Sequence, residues 1–170
     1  AQPVRARRFV LALLRSEAVE AERAIRRELE WYLAWYPQPI GADSVRVAWG
    51  DFLLRAGRPE EALAEYETVL QMFDASLLVP SLAPKTYRLA RRLGREAVAQ
   101  RAIRIAERSL RVATFSDSTV GAIFAALARM YLEAGEVGER ELATFARALD
   151  EYRDFPFPAD VLYQYAGLFE

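Results

Sequence analysis

Cysteine, histidine and asparagine are all absent from the 170 residues, and Lys85 is the lone lysine against 22 arginines. Without cysteine there is no disulfide, and without cysteine or histidine the usual thiolate and imidazole metal sites are excluded. Without histidine a Ser-His-Asp triad is impossible, and no Gly-rich phosphate loop with its lysine is present. Long hydrophobic runs are missing too: no stretch of about 18 apolar residues could span a bilayer. Nor is there a basic start followed by an apolar core and a small-residue cleavage site. The chain begins at Ala1 without a methionine, and its last residues still read as helix, which suits a piece of a longer polypeptide. Missing Cys and Asn beside abundant Arg and Glu would suit a heat-adapted protein, although codon use in a GC-rich genome gives the same arginine bias.

What is present is apolar content of 53%, enough for a real core in a chain that buries on the order of 70% of its unfolded surface. The pattern is helical throughout. Trp49, Phe52, Leu53 and Ala56 fall at i, i+3, i+4 and i+7, which lays them along one helical face. Gly57 follows where a helix takes a left-handed terminal residue, and Pro59, Glu60 and Glu61 suit the first turn of a new helix. Ala62, Tyr66, Val69 and Leu70 mark the apolar face of that second helix, with Ala62 small enough for close approach.

The other segments vary this unit. Residues 4–15 carry Phe9, Val10, Leu13 and Leu14 on one side, with Ser16 as the cap of a long helix that ends in Trp31, Tyr32, Trp35 and Tyr36. Those rings are expected to pack on the following helix and the loop 37–43, with a ligand-stacking surface as the alternative. Asp43 or Ser44 is the expected cap of the helix leading into the central unit. Residues 74–83 break the chain, and Pro84 is placed to open a helix that runs to Leu93. After Gly94 come Ala99, Ile103, Ala106 and Leu110. After a break at 115–118 come Phe124, Leu127, Ala128 and Tyr131, then Gly135, then Leu142, Phe145, Ala146, Leu149 and Tyr152. Residues 155–158 break the chain again before Leu162, Tyr165, Ala166 and Phe169.

The turns at Ser16, Gly57, Gly94 and Gly135 are spaced by 41, 37 and 41 residues, a range that suits helical-hairpin repeats. Trp49, Gly50, Leu53, Ala62, Tyr66 and Val69 resemble the tetratricopeptide repeat in type and order, with Arg46 and Asp74 departing from its pattern. The resemblance implies an all-α solenoid of α-α hairpins in one domain over 1–170. Its pairs would be about 4–36, 44–73, 84–112 and 118–154, with a terminal helix at 159–170. A helical bundle without superhelical stacking is the structural alternative.

Charge is distributed unevenly. Residues 85–114 hold nine basic and two acidic residues, net +7, and residues 115–170 hold four basic and ten acidic, net −6. The stripe Arg101, Arg104, Arg108 and Arg111 lies opposite the apolar face of its helix, where a solvated surface is the simplest reading. The resemblance implies groove-facing positions at Arg55, Arg88, Arg91, Arg92 and Arg129, with Asp51 and Glu133 among the neighbours. Such a groove would take an acidic peptide or a C-terminal carboxylate, because a guanidinium offers paired donors to planar anions. The family's clamp for chaperone tails needs asparagines and lysines, so that specific activity is not implied here.

The expectation is therefore a noncatalytic scaffold for an acidic protein or peptide partner, with no cofactor, metal or catalytic residue. Neighbouring carboxylates such as Glu60 with Glu61 and Asp150 with Glu151 point in different directions on their helices. Opposite-charge hairpins would also suit pairing between copies. The alternatives are nucleic-acid binding through the Arg-rich hairpin 85–111 and a small-ligand sensor built on the aromatic cluster 31–36. A pI of 5.8 and the flanking acidic segments weigh against nucleic acid.

Overall fold

The computed structural model describes residues 8, 10–12, 22–35, 42–73, 76–112, 116–135 and 137–167. Among them the structure is all-α. Residues 8 and 10–12 are helical, and eight longer helices follow: α1 (Glu22–Trp35), α2 (Ala42–Arg55), α3 (Pro59–Met72), α4 (Val79–Arg92), α5 (Glu96–Val112), α6 (Asp117–Ala134), α7 (Glu139–Glu151) and α8 (Ala159–Ala166). No described residue is in a strand. The expected break at Ser16, most of the loop 37–43 and Phe169 lie outside the described residues. The chain divides into two compact units, residues 1–72 and 73–170.

The first unit is built on the α2–α3 hairpin. At its turn the Gly57 N–H donates to Leu54 O (3.2 Å) and the Arg58 N–H to Leu53 O (2.9 Å), while Gly57 sits at φ 75°. This pair of bonds satisfies carbonyls left open by the helix end, and it requires the left-handed residue that glycine supplies without strain. Ala42 is already helical, so Asp43 stands inside the first turn and its carboxylate accepts from the Ser44 N–H (2.6 Å) rather than capping from outside. Trp49 and Phe52 stack with ring centroids 5.4 Å apart, and both are buried with Leu53, Ala62, Tyr66 and Val69. A Cβ on Gly50 would come within 2.4 Å of the Tyr66 ring, so the missing side chain is what lets that ring lie against α2. The Tyr66 hydroxyl donates to Asp51 Oδ1 at 2.5 Å.

Helix α1 buries Ile25, Leu29 and Tyr32. Its charges meet the α2–α3 turn: Arg26 stands 5.3 Å over the Trp49 ring and 3.7 Å from Glu61, and Arg58 bonds both Glu22 and Glu61. Trp31 and Trp35, by contrast, stay on the surface at 48% and 69% exposure, so only Tyr32 of the described aromatics there is buried.

The second unit opens with a turn in which the Leu78 N–H donates to Ser76 Oγ (3.1 Å), and α4 starts at Val79. Pro80, not Pro84, occupies the first turn. Pro84 is buried inside the helix, where a proline forgoes one backbone bond, to the carbonyl four residues back. The turn at Gly94 repeats the one at Gly57 bond for bond, Gly94 N–H to Arg91 O (3.1 Å) and Arg95 N–H to Ala90 O (2.8 Å). Across it α4 packs on α5, and Ala83, Tyr87 and Ala90 of α4 and Ala99, Ala102, Ile103 and Ala106 of α5 are all buried.

Ser116 caps α6, its hydroxyl accepting from the Thr119 N–H (3.4 Å), and Gly135 closes the helix in the left-handed conformation. Between them α6 is the central helix of the unit, in contact with α4, α5, α7 and α8. Every residue from Ile123 to Ala128 is buried, not only the expected stripe, because neighbours cover the helix on several sides. On α7 the buried pair is Phe145 and Ala148, while Ala146 is exposed. Tyr165 anchors α8, with its ring 4.5 Å from Phe145 and its hydroxyl donating to Leu142 O (3.1 Å). The α7–α8 connection folds back so that the Phe155 ring fills the place of a Gly121 side chain.

Candidate functional site: an arginine face and a separate trough

The five arginines singled out from the sequence fall in both units. Arg55 ends α2 in the first unit, exposed, with its guanidinium 5.9 Å over the Phe52 ring. Asp51, its expected neighbour, is taken up with Tyr66. The other four lie in the second unit, where α4 and α6 pack side by side.

There Arg88 crosses from α4 to α6, placing Nη1 3.6 Å from Glu133 Oε1, with 55% and 40% of the two side chains exposed. Arg129 stands one turn before Glu133 on the same side of α6 and is half-buried. Arg92 is exposed one turn beyond Arg88 in the last turn of α4, where a cation also complements the helix dipole. Arg91 is drawn away. Its Nη1 lies 3.5 Å from Glu96 across the Gly94 turn, and its guanidinium is 6.0 Å from the Tyr87 ring. The structure thus pairs Arg88 with Glu133 across the α4–α6 seam, leaves Arg92 exposed one turn further along α4, and draws Arg91 to the hairpin turn.

This face is open. The Arg88–Glu133 pair is solvent-exposed and contributes about 0–1 kcal/mol, so an incoming carboxylate competes with a weak bond. A guanidinium released from Glu133 can meet a carboxylate through two parallel N–H donors.

A second concavity was not legible from the sequence. Helices α5 and α7 both pack on α6, and between them lies a trough of about 470 Å³ floored by Val120, Phe124, Leu127 and Tyr131 at i, i+4, i+7 and i+11. A wider cleft of about 600 Å³ shares Glu107, Tyr131, Arg140 and Glu141 with it and extends to Gln100 and Arg104. The Tyr131 hydroxyl donates to Glu107, and burial, then that carboxylate, pushes the phenol well above its ordinary value, so it stays protonated. Glu141 accepts from the Gly138 N–H at 3.1 Å, and Glu151 lies 4.0 Å from Arg147. The polar residues of α7 at 140, 141, 144, 147 and 151 do recur on one helical side, but periodicity reads such a side as solvent. Only the spread between α5 and α7 makes it a wall.

Among the described residues no cluster of three or more His, Cys, Asp or Glu side chains could hold a metal ion, and no helix is long and apolar enough to cross a membrane. Comparison with family models, curated proteins and solved structures finds no match to this chain.

Proposed function

We propose that this chain is a noncatalytic interaction scaffold of tetratricopeptide-like helical hairpins that binds an acidic peptide or protein segment on its arginine face. The observation that carries the reading is the α4–α6 seam, where Arg88 reaches an exposed, weakly paired Glu133 and Arg92 is exposed one turn further along α4. The repeat character draws support from two identical Gly turns, at Gly57 and Gly94, and from the Gly50–Tyr66 contact in which a small residue of one helix receives a ring of the next. Recognition works through charge-assisted, bidentate hydrogen bonds and weakens with salt.

The test is a pair of double variants in a pull-down with an acidic peptide that ends in a free carboxylate. Arg88→Ala with Arg92→Ala should abolish capture while leaving the melting temperature nearly unchanged, because exposed arginines contribute little to folding. Arg104→Ala with Arg108→Ala, on α5, should leave capture intact. Loss of capture in the α5 pair instead would move binding to that stripe and bring nucleic acid forward as the ligand.

A further inference from the structure

We infer that Glu133 is a built-in competitor on the arginine face, and that the partner overcomes it with two acidic side chains at alternate positions of an extended segment. The inference rests on the reading of the α4–α6 seam as the binding surface, and it names the ligand chemistry that the seam selects.

The two exposed arginines of the seam stand differently. Arg88 already has a carboxylate in place, since Glu133 Oε1 lies 3.6 Å from its Nη1 with both side chains partly exposed. At that separation the contact is Coulombic rather than a hydrogen bond, so Glu133 neutralises the guanidinium without engaging its paired donors. Arg92, one turn further along α4, is exposed, and among the described residues no carboxylate pairs with it. An acidic segment therefore meets one open cation and one occupied. A ligand with a single carboxylate settles on Arg92 and leaves the Arg88–Glu133 pair as it is. A second carboxylate has to displace Glu133, and that exchange conserves the number of exposed ion pairs. What it adds is alignment with two parallel N–H donors of Arg88. Glu133 thus handicaps only ligands that use both arginines.

Spacing sets the arrangement of the two acids. Four residues of α4 separate Arg88 from Arg92, about 6 Å along the helix axis. Alternate residues of an extended segment lie about 6.5–7 Å apart with their side chains on one side, whereas neighbouring residues point to opposite sides. Lys85, one turn before Arg88 on the same side of α4, extends the basic row, and α4 itself carries no acidic residue. Lys85, Arg88 and Arg92 face the single carboxylate of Glu133, so the row keeps a positive excess for an acidic partner.

Titration of the whole chain with peptides capped at both ends tests this, with the arginine Nε–H resonances as the readout. Ala-Glu-Ala-Glu-Ala should bind more tightly than Ala-Glu-Ala-Gln-Ala. Glu133→Gln, a change of charge and not of shape at an exposed side chain, should tighten the two-acid peptide by roughly threefold, the worth of an exposed pair, and leave the one-acid peptide unchanged. In an Arg88→Ala background the same change should do nothing for either peptide. A gain of equal size for both peptides, or one that persists without Arg88, means that Glu133 acts only through its general field and overturns the inference. Ala-Glu-Glu-Ala-Ala, of the same charge, should bind no better than the one-acid peptide, and a match to the alternating peptide would overturn the spacing. If capped peptides fail while a peptide with a free C-terminal carboxylate binds, the arginine face stands and this inference falls. Failure of every acidic peptide removes both.

Discussion

Gly50→Ala puts the packing logic of the first hairpin to a quantitative test. Alanine in a helix interior is favoured over glycine by about 1 kcal/mol, so on propensity alone this substitution should stabilise the protein. The added methyl, however, would meet Tyr66 ring atoms at 2.4, 2.8 and 3.2 Å. Tyr66 is fully buried and its hydroxyl is tied to Asp51, so the ring cannot swing aside without surrendering a hydrogen bond to a charged acceptor, about 1.5–3 kcal/mol. Overpacking of this kind costs about 1–3 kcal/mol, and with part of that hydrogen bond lost the net change should be destabilisation by about 2 kcal/mol. For a chain of this size that lowers the melting temperature by about 4–8 °C. Urea titration of Gly50→Ala, repeated in a Tyr66→Leu background, isolates the clash. With the ring gone the alanine should become neutral or stabilising. If Gly50→Ala stabilises the wild-type chain, or costs the same in both backgrounds, the contact with Tyr66 is not what requires glycine there.

Gly121→Ala should lose stability for the same reason, since its Cβ would fall 2.4 Å from the Phe155 ring, but Phe155 lies in a loop and is only half-buried, so the loss in urea should be smaller than at Gly50. Ala62→Leu, at a position with no exposed surface on the α2–α3 interface, should overpack by about 1–3 kcal/mol in the same titration, and a neutral result would refute close helix approach there. Alkaline pH should unfold the protein selectively. Burial, followed by the partner carboxylates, raises the Tyr66 and Tyr131 phenols above their ordinary value, so the stability they contribute is intact below about pH 10 and is lost as pH climbs beyond it. Stability measured from pH 8 to 11 should fall at the upper end, and less steeply in Tyr66→Phe with Tyr131→Phe.

The helix breaks were legible where the chain marks them chemically. Gly57, Gly94 and Gly135 each stand where a left-handed residue closes a helix, and the small and aromatic residues around Ala62 and Tyr66 announce a close hairpin. Proline misled because its two helical uses look alike in sequence: Pro80 sits in the first turn of α4, and Pro84, which reads as a helix start, is carried inside. Periodicity also reports one face at a time, so the burial of Ala125, Ala126 and Met130 outside the expected stripe of α6 depended on neighbours brought by the fold. The same limit applies to the site. Arg88, Arg129 and Glu133 could be placed on neighbouring helices through the family resemblance, but the pull of Glu96 on Arg91 depends on how the Gly94 turn aims two side chains. The trough depends on a gap between α5 and α7 that no single helix encodes.

The most direct test of the arginine face is a nuclear magnetic resonance titration that follows the arginine side-chain Nε–H signals as an acidic peptide with a free C-terminal carboxylate is added. Arg88, Arg92 and Arg129 should shift together and saturate at one peptide per chain, with the shifts fading as salt is raised. Saturable shifts confined to Arg101, Arg104, Arg108 and Arg111, with the α4–α6 signals unmoved, would contradict the account.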